Sequence, residues 1–352
     1  LSNAVHIALD AMGGDHAPQS VLAGANMARQ RYPELHFHIF GDEAVLKPRV
    51  DRLRGLAQVT TLHHTDEVVA ADSKPSQVVR SKAKTSMRQA IDLVKAGEAA
   101  GVVSAGNTGA LMGLAMFMLG TMKGVDRPAI ASYFPTVKGE TVLLDLGANV
   151  TCDARNLFQF AVMGEMFART VLGVQEPTIG LLNIGSEAVK GHETLKDAAA
   201  LLRETTLPLH FHGFVEGDDI PAGTVDVVVT DGFTGNVAVK IAEGTASLVT
   251  GFIRGAFQSS LSAMIGYVFA KRALQKIRVR TDPRRYNGAV LAGLNGIVVK
   301  SHGGADALGF ATAVGVSYDL VRYGFMDKIA AELAELTQQA AAAEADRAAA
   351  AS

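Results

Sequence analysis

The scarcities narrow the reading first. The chain has one cysteine, Cys152, in 352 residues, so no intrachain disulfide can form and a Cys-rich metal site is excluded. Such usage suits a reducing cytoplasm. No uninterrupted apolar run reaches the roughly 18 residues that a membrane span needs. Acidic and basic residues nearly cancel, leaving a formal net charge of −2. No global field therefore draws the chain to nucleic acid or acidic lipid. The sequence has no G-x-x-x-x-G-K-[ST], no G-x-S-x-G, no H-E-x-x-H, and no G-x-G-x-x-G after its first apolar run. Those absences exclude a P-loop NTPase, a hydrolase nucleophile elbow, a zincin and the usual dinucleotide fingerprint. His36/His38 and His210/His212 are H-x-H pairs, each placing two imidazoles on one strand face. A metal would need a third ligand that the spacing does not indicate, so neither metal nor cofactor is expected.

What the chain does contain is a repeated unit: an apolar run, a polar glycine-rich loop, then a helical stretch. Val5–Asp10 precedes Ala-Met-Gly-Gly-Asp-His, and Gly101–Ser104 precedes Ala-Gly-Asn-Thr-Gly. The same pattern follows Thr141–Leu144, Thr178–Leu182, Val225–Val229 and Gly296–Lys300. Further strands are expected at Leu35–Phe40, Val59–His63 and Ala129–Phe134. Val, Ile and Leu with little alternation suit strands buried on both faces of a parallel sheet. Helical crossovers between them give a three-layer α/β/α sandwich, mostly parallel. Ligands in such sheets sit beyond the carboxyl ends of the strands, so the loops are expected to converge on one crevice. Residues 1–4, Leu-Ser-Asn-Ala, read as a cloning scar. Residues 5–335 read as one α/β domain, and 338–352 as an alanine-rich tail.

The stretch GVVSAGNTGALMG, Gly101 to Gly113, has the grammar of strand, tight loop and helix N-terminus. There backbone N–H groups and the helix dipole attract anions. Gly106 and Gly109 would let the backbone approach an anion. Ser104, Asn107 and Thr108 supply polar side chains, and Asn107 also suits a helix cap.

In order along the chain stand Asp10-Ala-Met-Gly13-Gly14-Asp15, Ser104-Ala-Gly106-Asn107-Thr108-Gly109, Leu144-Asp-Leu-Gly-Ala-Asn149 and Asn183-Ile-Gly185. Lys190-Gly191, Asp231-Gly-Phe-Thr-Gly-Asn236 and Ser301-His302-Gly303 complete the set. This ordered set resembles the bacterial phosphate acyltransferases of phospholipid synthesis, the PlsX type, from about Val5 to Ile329. The resemblance implies transfer of a fatty acyl group from acyl-[acyl carrier protein] to inorganic phosphate, giving acyl phosphate. It also implies a fold like that of the phosphotransacetylases and isocitrate-type dehydrogenases, a homodimer, and a cytoplasmic enzyme held peripherally at the inner face of the membrane. A phosphotransacetylase acting on acyl-coenzyme A is the alternative.

That chemistry needs phosphate aimed at a thioester, a stabilised carbonyl oxygen and a leaving thiolate. A thiol ionises near pH 8.5 and needs little help to leave. Phosphate is already a nucleophile at neutral pH, so positioning and fixed dipoles suffice without a triad. Lys190 is a mobile cation for phosphate or oxyanion, or a plain surface lysine. His302 is a donor to the carbonyl, or a structural imidazole. Asn236 is a candidate oxyanion donor and Asp231 an orienting group. Asp10, Gly13, Gly14, Asp15 and Asn149 are read as supporting the loops, since carboxylates near a phosphate site usually fix lysines or amides. Cys152 is an acyl acceptor only if it ionises; otherwise it is a small buried apolar group.

Two basic segments concern partners. Arg80, Lys84 and Arg88 are spaced to share one helix face, facing either acidic carrier protein or solvent. From Gly244 to Thr281 there is no acidic residue, while Leu261, Met264, Ile265, Val268 and Phe269 form an apolar stripe beside Lys271 and Arg272. A stripe with a basic flank suits a helix lying in a membrane interface; a dimer contact is the alternative. The resemblance puts a protruding helical hairpin here, at about 236–285.

Overall fold

The computed structural model describes residues 4–331 and residue 334. The scar reading at residues 1–3 and the tail at 338–352 lie outside the described residues. All nine expected strands form, with bounds shifted by two residues or fewer. They are β1 Val5–Asp10, β2 Leu35–Gly41, β3 Thr60–His64, β4 Gly101–Ser104, β5 Ala129–Pro135, β6 Glu140–Leu144 and β7 Thr178–Leu182. β9 Val227–Val229 and β11 Ile297–Lys300 complete the nine. Two more form, β8 His210–Val215, which only the His210/His212 pair points to, and β10 Ala289–Ala292, which was not expected. β8 is a sheet-edge strand with exposed histidines, and β10 has only four residues, so neither reads as a long apolar run.

The strands form one sheet in the order β3-β2-β1-β4-β11-β10-β5-β6-β9-β7-β8. β1, β2, β3, β4 and β11 are mutually parallel. β6, β7, β8 and β9 form a second parallel set. Between them, β10 is antiparallel to both β11 and β5, and β5 is antiparallel to β6. The two parallel sets therefore run in opposite directions, and their carboxyl ends lie at opposite edges of the sheet. This corrects the expectation of one crevice. The loops after β1, β4 and β11 gather at one edge, and those after β6, β7 and β9 at the other. A hairpin-linked antiparallel pair inside a mostly parallel sheet leaves no trace in hydrophobic pattern alone.

The helices are α1 Gln19–Arg31, α2 Glu43–Arg52, α3 Arg54–Ala57, α4 Pro75–Arg80, α5 Ser86–Lys95 and α6 Thr108–Leu119. Then follow α7 Ala154–Phe167, α8 Glu193–Glu204, α9 Asp219–Ala222, α10 Gly232–Gln258, α11 Leu261–Arg280 and α12 Ala307–Arg322. Alternate residues of each strand feed different layers. Ile7, Leu9, Phe37 and Ile39 share one core cluster with residues of α1, α7 and α12, whereas Ala8, Phe40 and Val102 share another with α5 and α6. Two helical layers thus sandwich the sheet.

α10 and α11 form the expected hairpin, starting and ending a few residues earlier than anticipated. Ser260 caps α11, accepting from Ala263 N at 3.1 Å. At the base, the Arg280 guanidinium donates to the carbonyls of Thr136 and Val137 at 2.8 and 3.0 Å. The arms are solvent-exposed in this single chain: Leu261 is 78 % and Phe269 85 % exposed. Among the described residues no helix is long and apolar enough to cross a membrane.

At the β3 end of the sheet, half-buried histidines from β1, β2 and β3 share one face. Burial, then the neighbouring imidazoles, push His38 down to about 4 and His36 in the same direction.

Candidate active site

The loops after β1, β4 and β11 interlock backbone against backbone. Gly13 sits where a Cβ would lie 2.5 Å from Asp10 Oδ2 and 2.7 Å from Gly106 N. Gly14 has φ +102° and faces Ala105 and the Gly303 carbonyl, a conformation and a closeness that a side chain would forbid. Asp15 N donates to Gly303 O at 2.9 Å. Beneath these loops the buried Asp10 carboxylate accepts from Ser86 Oγ and Ser104 Oγ, both at 2.7 Å. Asp10 thus braces the loops, the role expected for a carboxylate near an anion site.

The loop also commits side chains that were expected to face phosphate. Ser104 is fully buried; its hydroxyl donates to Asp10 and accepts from Gly106 N at 3.0 Å. It is a strut rather than a phosphate donor, because it ends a strand buried on both faces. Asn107 caps α6, with Oδ1 accepting from Ala110 N at 2.9 Å. Its Nδ2 donates to Ala71 O and Ser73 O at 2.8 and 3.2 Å, so both side-chain donors are spent on the neighbouring segment. Gly109 is needed for that same packing: a Cβ there would meet Pro75 Cγ at 2.6 Å. What remains for an anion are the main-chain N–H groups of Thr108 and Gly109, which by position have no partner within the helix. Thr108 itself is exposed.

A group the motif reading passed over lies directly below. Lys300, the last residue of β11, is only 9 % exposed, and its Nζ donates to Ala105 O at 3.2 Å and to Ser301 O. Burial pushes its ammonium down to about 8, against the pull of Asp10 and Asp15. At neutral pH it remains mostly charged, a cation under the loop. The signal was a lysine closing an otherwise apolar strand, Ile297-Val-Val-Lys300, where buried lysines are rare unless paired. His302 stands beside it, exposed. Its Nδ1 accepts from Gly304 N at 3.1 Å, which leaves Nε2 as the N–H donor.

The remaining candidates belong to the other edge. Asp145, fully buried, accepts from the amides of Ile130, Gly147, Ala148 and Asn149 and from Asn149 Nδ2, at 2.7–3.1 Å. Asn149 also donates to Pro128 O at 2.8 Å, so it supports this loop and not the first. Asp231 caps α10, accepting from Thr234 N and Oγ1. Asn236 lies exposed beside Gly147. Lys190 is half-exposed and 3.7 Å from Glu187. Within one chain these groups do not meet the loop at Gly106.

Burial, then Asp145 and Asp231, push the Cys152 thiol up to about 12; it stays protonated at neutral pH and is a poor nucleophile. Arg80, Lys84 and Arg88 do not share a helix. α4 ends at Arg80 and α5 begins after Thr85, which caps it by accepting from Arg88 N at 3.3 Å. The Arg88 guanidinium closes the end of α4, donating to Val78, Val79 and Ser81 carbonyls at 2.7–3.2 Å. Caps at Ser81 and Thr85 break the periodicity that the spacing suggested. A hollow of about 240 Å³, lined by Tyr32, Tyr133, Glu140 and Asp319, lies against α1 and α12.

A buried cation thus lies in the loop group that leads into α6, on an α/β/α sandwich. The fold is shared with solved phosphotransacetylases. The Streptococcus pyogenes enzyme superposes with TM-score 0.62 at 18 % identity, covering 91 % of this chain and 95 % of that one. The EutD phosphotransacetylase of Staphylococcus aureus gives 0.58 at 18 %, covering 90 % and 94 %. The chain matches the family described as "Fatty acid synthesis protein" over residues 5–328, and it belongs to that family. Among its relatives, the phosphate acyltransferase of Rhodospirillum centenum is 60 % identical over 330 residues, 94 % of this chain and 93 % of the relative. That of Paramagnetospirillum magneticum is 57 % identical over 336 residues, 96 % of each. The chain is an acyltransferase.

Proposed function

We propose that the chain transfers a fatty acyl group from acyl-[acyl carrier protein] to inorganic phosphate, supplying acyl phosphate for phospholipid synthesis. The observation that carries this reading is Lys300, buried, charged and bonded to Ala105 in the loop that leads into α6. Helix amides and a desolvated cation together favour a compact oxyanion. Phosphate seated there is held for attack. One of its oxygens forms the bond to the thioester carbonyl carbon, the carbonyl oxygen takes the negative charge, and the carrier's thiolate departs. The protonated state of Cys152 supports direct attack without a covalent enzyme intermediate.

His302 Nε2–H, exposed on this edge, is the side-chain donor offered to the developing oxyanion. Lys190, Asn236 and Asp231 lie at the other edge, and a homodimer in which one protomer presents them to its partner's loop would give them a catalytic part. Mixing two inactive variants, Lys300→Met and Asn236→Ala, tests this: restored activity in mixed dimers supports shared sites, and none restricts the chemistry to one chain. Exposed Arg80 and Lys84 remain a basic surface for acidic carrier protein, with Arg88 structural. The hairpin tip is the membrane contact of a cytoplasmic, peripherally bound enzyme, through Leu261, Met264, Ile265, Val268, Phe269, Lys271 and Arg272.

The deciding experiment is phosphate-dependent release of free thiol from long-chain acyl carrier protein, compared with acetyl-coenzyme A. Turnover only of the carrier-bound long chain supports the reading; turnover only of acetyl-coenzyme A, or thiol release independent of phosphate, defeats it. Charge reversal at Lys271 and Arg272 is expected to weaken binding to anionic liposomes, and unchanged binding at moderate salt removes the membrane role.

A further inference from the structure

The H-x-H pair on β2 has a third imidazole beside it that spacing along the chain did not indicate. In the β1–β2 register His6 is directly opposite His36, and Ala8 opposite His38. His6 Nδ1 and His38 Nε2 are 2.9 Å apart. One ring nitrogen from each of His6, His36 and His38 lies within 4.8 Å of the others. All three rings are half-buried, on the sheet face that carries α5 and α6 but at the amino-terminal side of the strands, away from the loop at Gly106. Second partners are in place as well. His38 Nδ1 is 3.0 Å from His63 Nε2 on β3, and His36 Nε2 is 3.0 Å from Thr61 Oγ1. The His63 ring is itself stacked on Phe40, centroids 4.4 Å apart.

We propose that His6, His36 and His38 bind one divalent transition-metal ion of the zinc class, clamping β1 to β2. A nitrogen pair at 2.9 Å holds a single proton between two lone pairs. A tetrahedral ion with metal–nitrogen bonds of about 2.0–2.1 Å takes its place if the pair opens to about 3.3 Å, a side-chain adjustment of a few tenths of an ångström. His38 then ligates through Nε2 while its Nδ1–H donates to His63. His36 ligates through Nδ1 while Nε2–H donates to Thr61. A ligating imidazole ordinarily has its other N–H held in this way. Water fills the fourth position. Three imidazoles with neither carboxylate nor thiolate select Zn²⁺, Co²⁺ or Ni²⁺ over Mg²⁺ and Ca²⁺. The ion sits apart from the transfer chemistry, so its part is to pin the edge of the sheet.

The test uses the full chain, free of tag histidines and stripped with chelator. Titration with Zn²⁺ followed by calorimetry is expected to give one equivalent per chain and a raised unfolding midpoint. Mg²⁺ is expected to have no effect. Co²⁺ is expected to develop the visible absorption of a tetrahedral site. His36→Gln and, independently, His6→Gln should each weaken Zn²⁺ binding at least tenfold. His63→Gln should weaken it about tenfold by removing the outer partner, and His210→Gln should leave it unchanged. Absence of a stoichiometric Zn²⁺ site, or one that survives both His36→Gln and His6→Gln, overturns the proposal.

Discussion

The two loop groups at opposite edges of the sheet are built on the same plan and reach opposite electrostatic ends. Each follows strand ends of a parallel set, and each has a buried aspartate gathering N–H or O–H groups. At the first edge Asp10 takes two hydroxyls, and a buried lysine lies nearby. At the second edge Asp145 is encircled by amides and its charge is satisfied locally, while Lys190 is half-exposed beside Glu187 and Arg127 is exposed. A cation pulls harder on an anion in a place of low dielectric, and the first edge has such a buried cation in Lys300, with Asp10 and Asp15 near it. The same residue types at strand ends thus give a buried lysine in one place and a self-contained turn in the other.

The contrast is broken most severely at Lys300. Lys300→Met keeps the length and removes the charge, and kcat/KM for phosphate is expected to fall about 100-fold or more, the scale of losing a preorganised charge-stabilising group. Unchanged phosphate kinetics would remove the cation from the site. Asp145→Asn should do the converse. An amide nitrogen replacing one oxygen would face N–H donors, and charge-assisted hydrogen bonds are worth about 1.5–3 kcal/mol each. Denaturant unfolding is expected to show a loss of about 3 kcal/mol with KM for phosphate little altered. A large rise in that KM would place the second edge in the phosphate site after all.

Glycines sharpen the same comparison on a smaller scale. A Cβ at Gly13 would press on Asp10 and Gly106, and one at Gly235 would fall 2.0 Å from the Asp145 carbonyl oxygen. Overpacking of this kind costs about 1–3 kcal/mol. Gly13→Ala is expected to raise KM for phosphate several-fold, while Gly235→Ala should lower the unfolding midpoint with phosphate affinity retained. Equal effects of the two on KM would erase the distinction between the edges.

Much of this fold could be read from apolar runs: nine of eleven strands lie where they were expected, most of them rich in Val, Ile and Leu. Strand direction could not, because β5, β6 and β10 carry the same residue types as their parallel neighbours and differ only in how the chain returns. The loop at Gly106 was legible from its glycines. The division of labour inside it was not. Asn107 and Ser104 have the composition of donors, but their partners, Ala71, Ser73 and Asp10, come from distant segments. Lys300 was hidden for the opposite reason: its strand was recognised, and a terminal lysine looks like a solvent-facing end until the neighbouring loops close over it. Arg88 shows the hazard of spacing arguments, since a periodicity of four holds only while the helix does.

The mildest test is pH, and its sign follows from burial. Desolvation favours the neutral form of a lysine, so Lys300, pushed down to about 8, carries its charge below that pH and loses it above. Phosphate does not become less anionic as pH rises, and its repulsion by Asp10 and Asp15 persists. The loss of attraction must therefore come from the lysine. In the free enzyme kcat/KM for phosphate is expected to decline above pH about 8, by several-fold within the next unit. Bound phosphate stabilises the ammonium, so kcat, which reports the complex, should hold to higher pH. Lys300→Arg keeps the charge throughout and should flatten the alkaline limb of kcat/KM even if its absolute value drops. An alkaline limb that persists unchanged in Lys300→Arg would assign it to another group and detach the buried cation from phosphate capture.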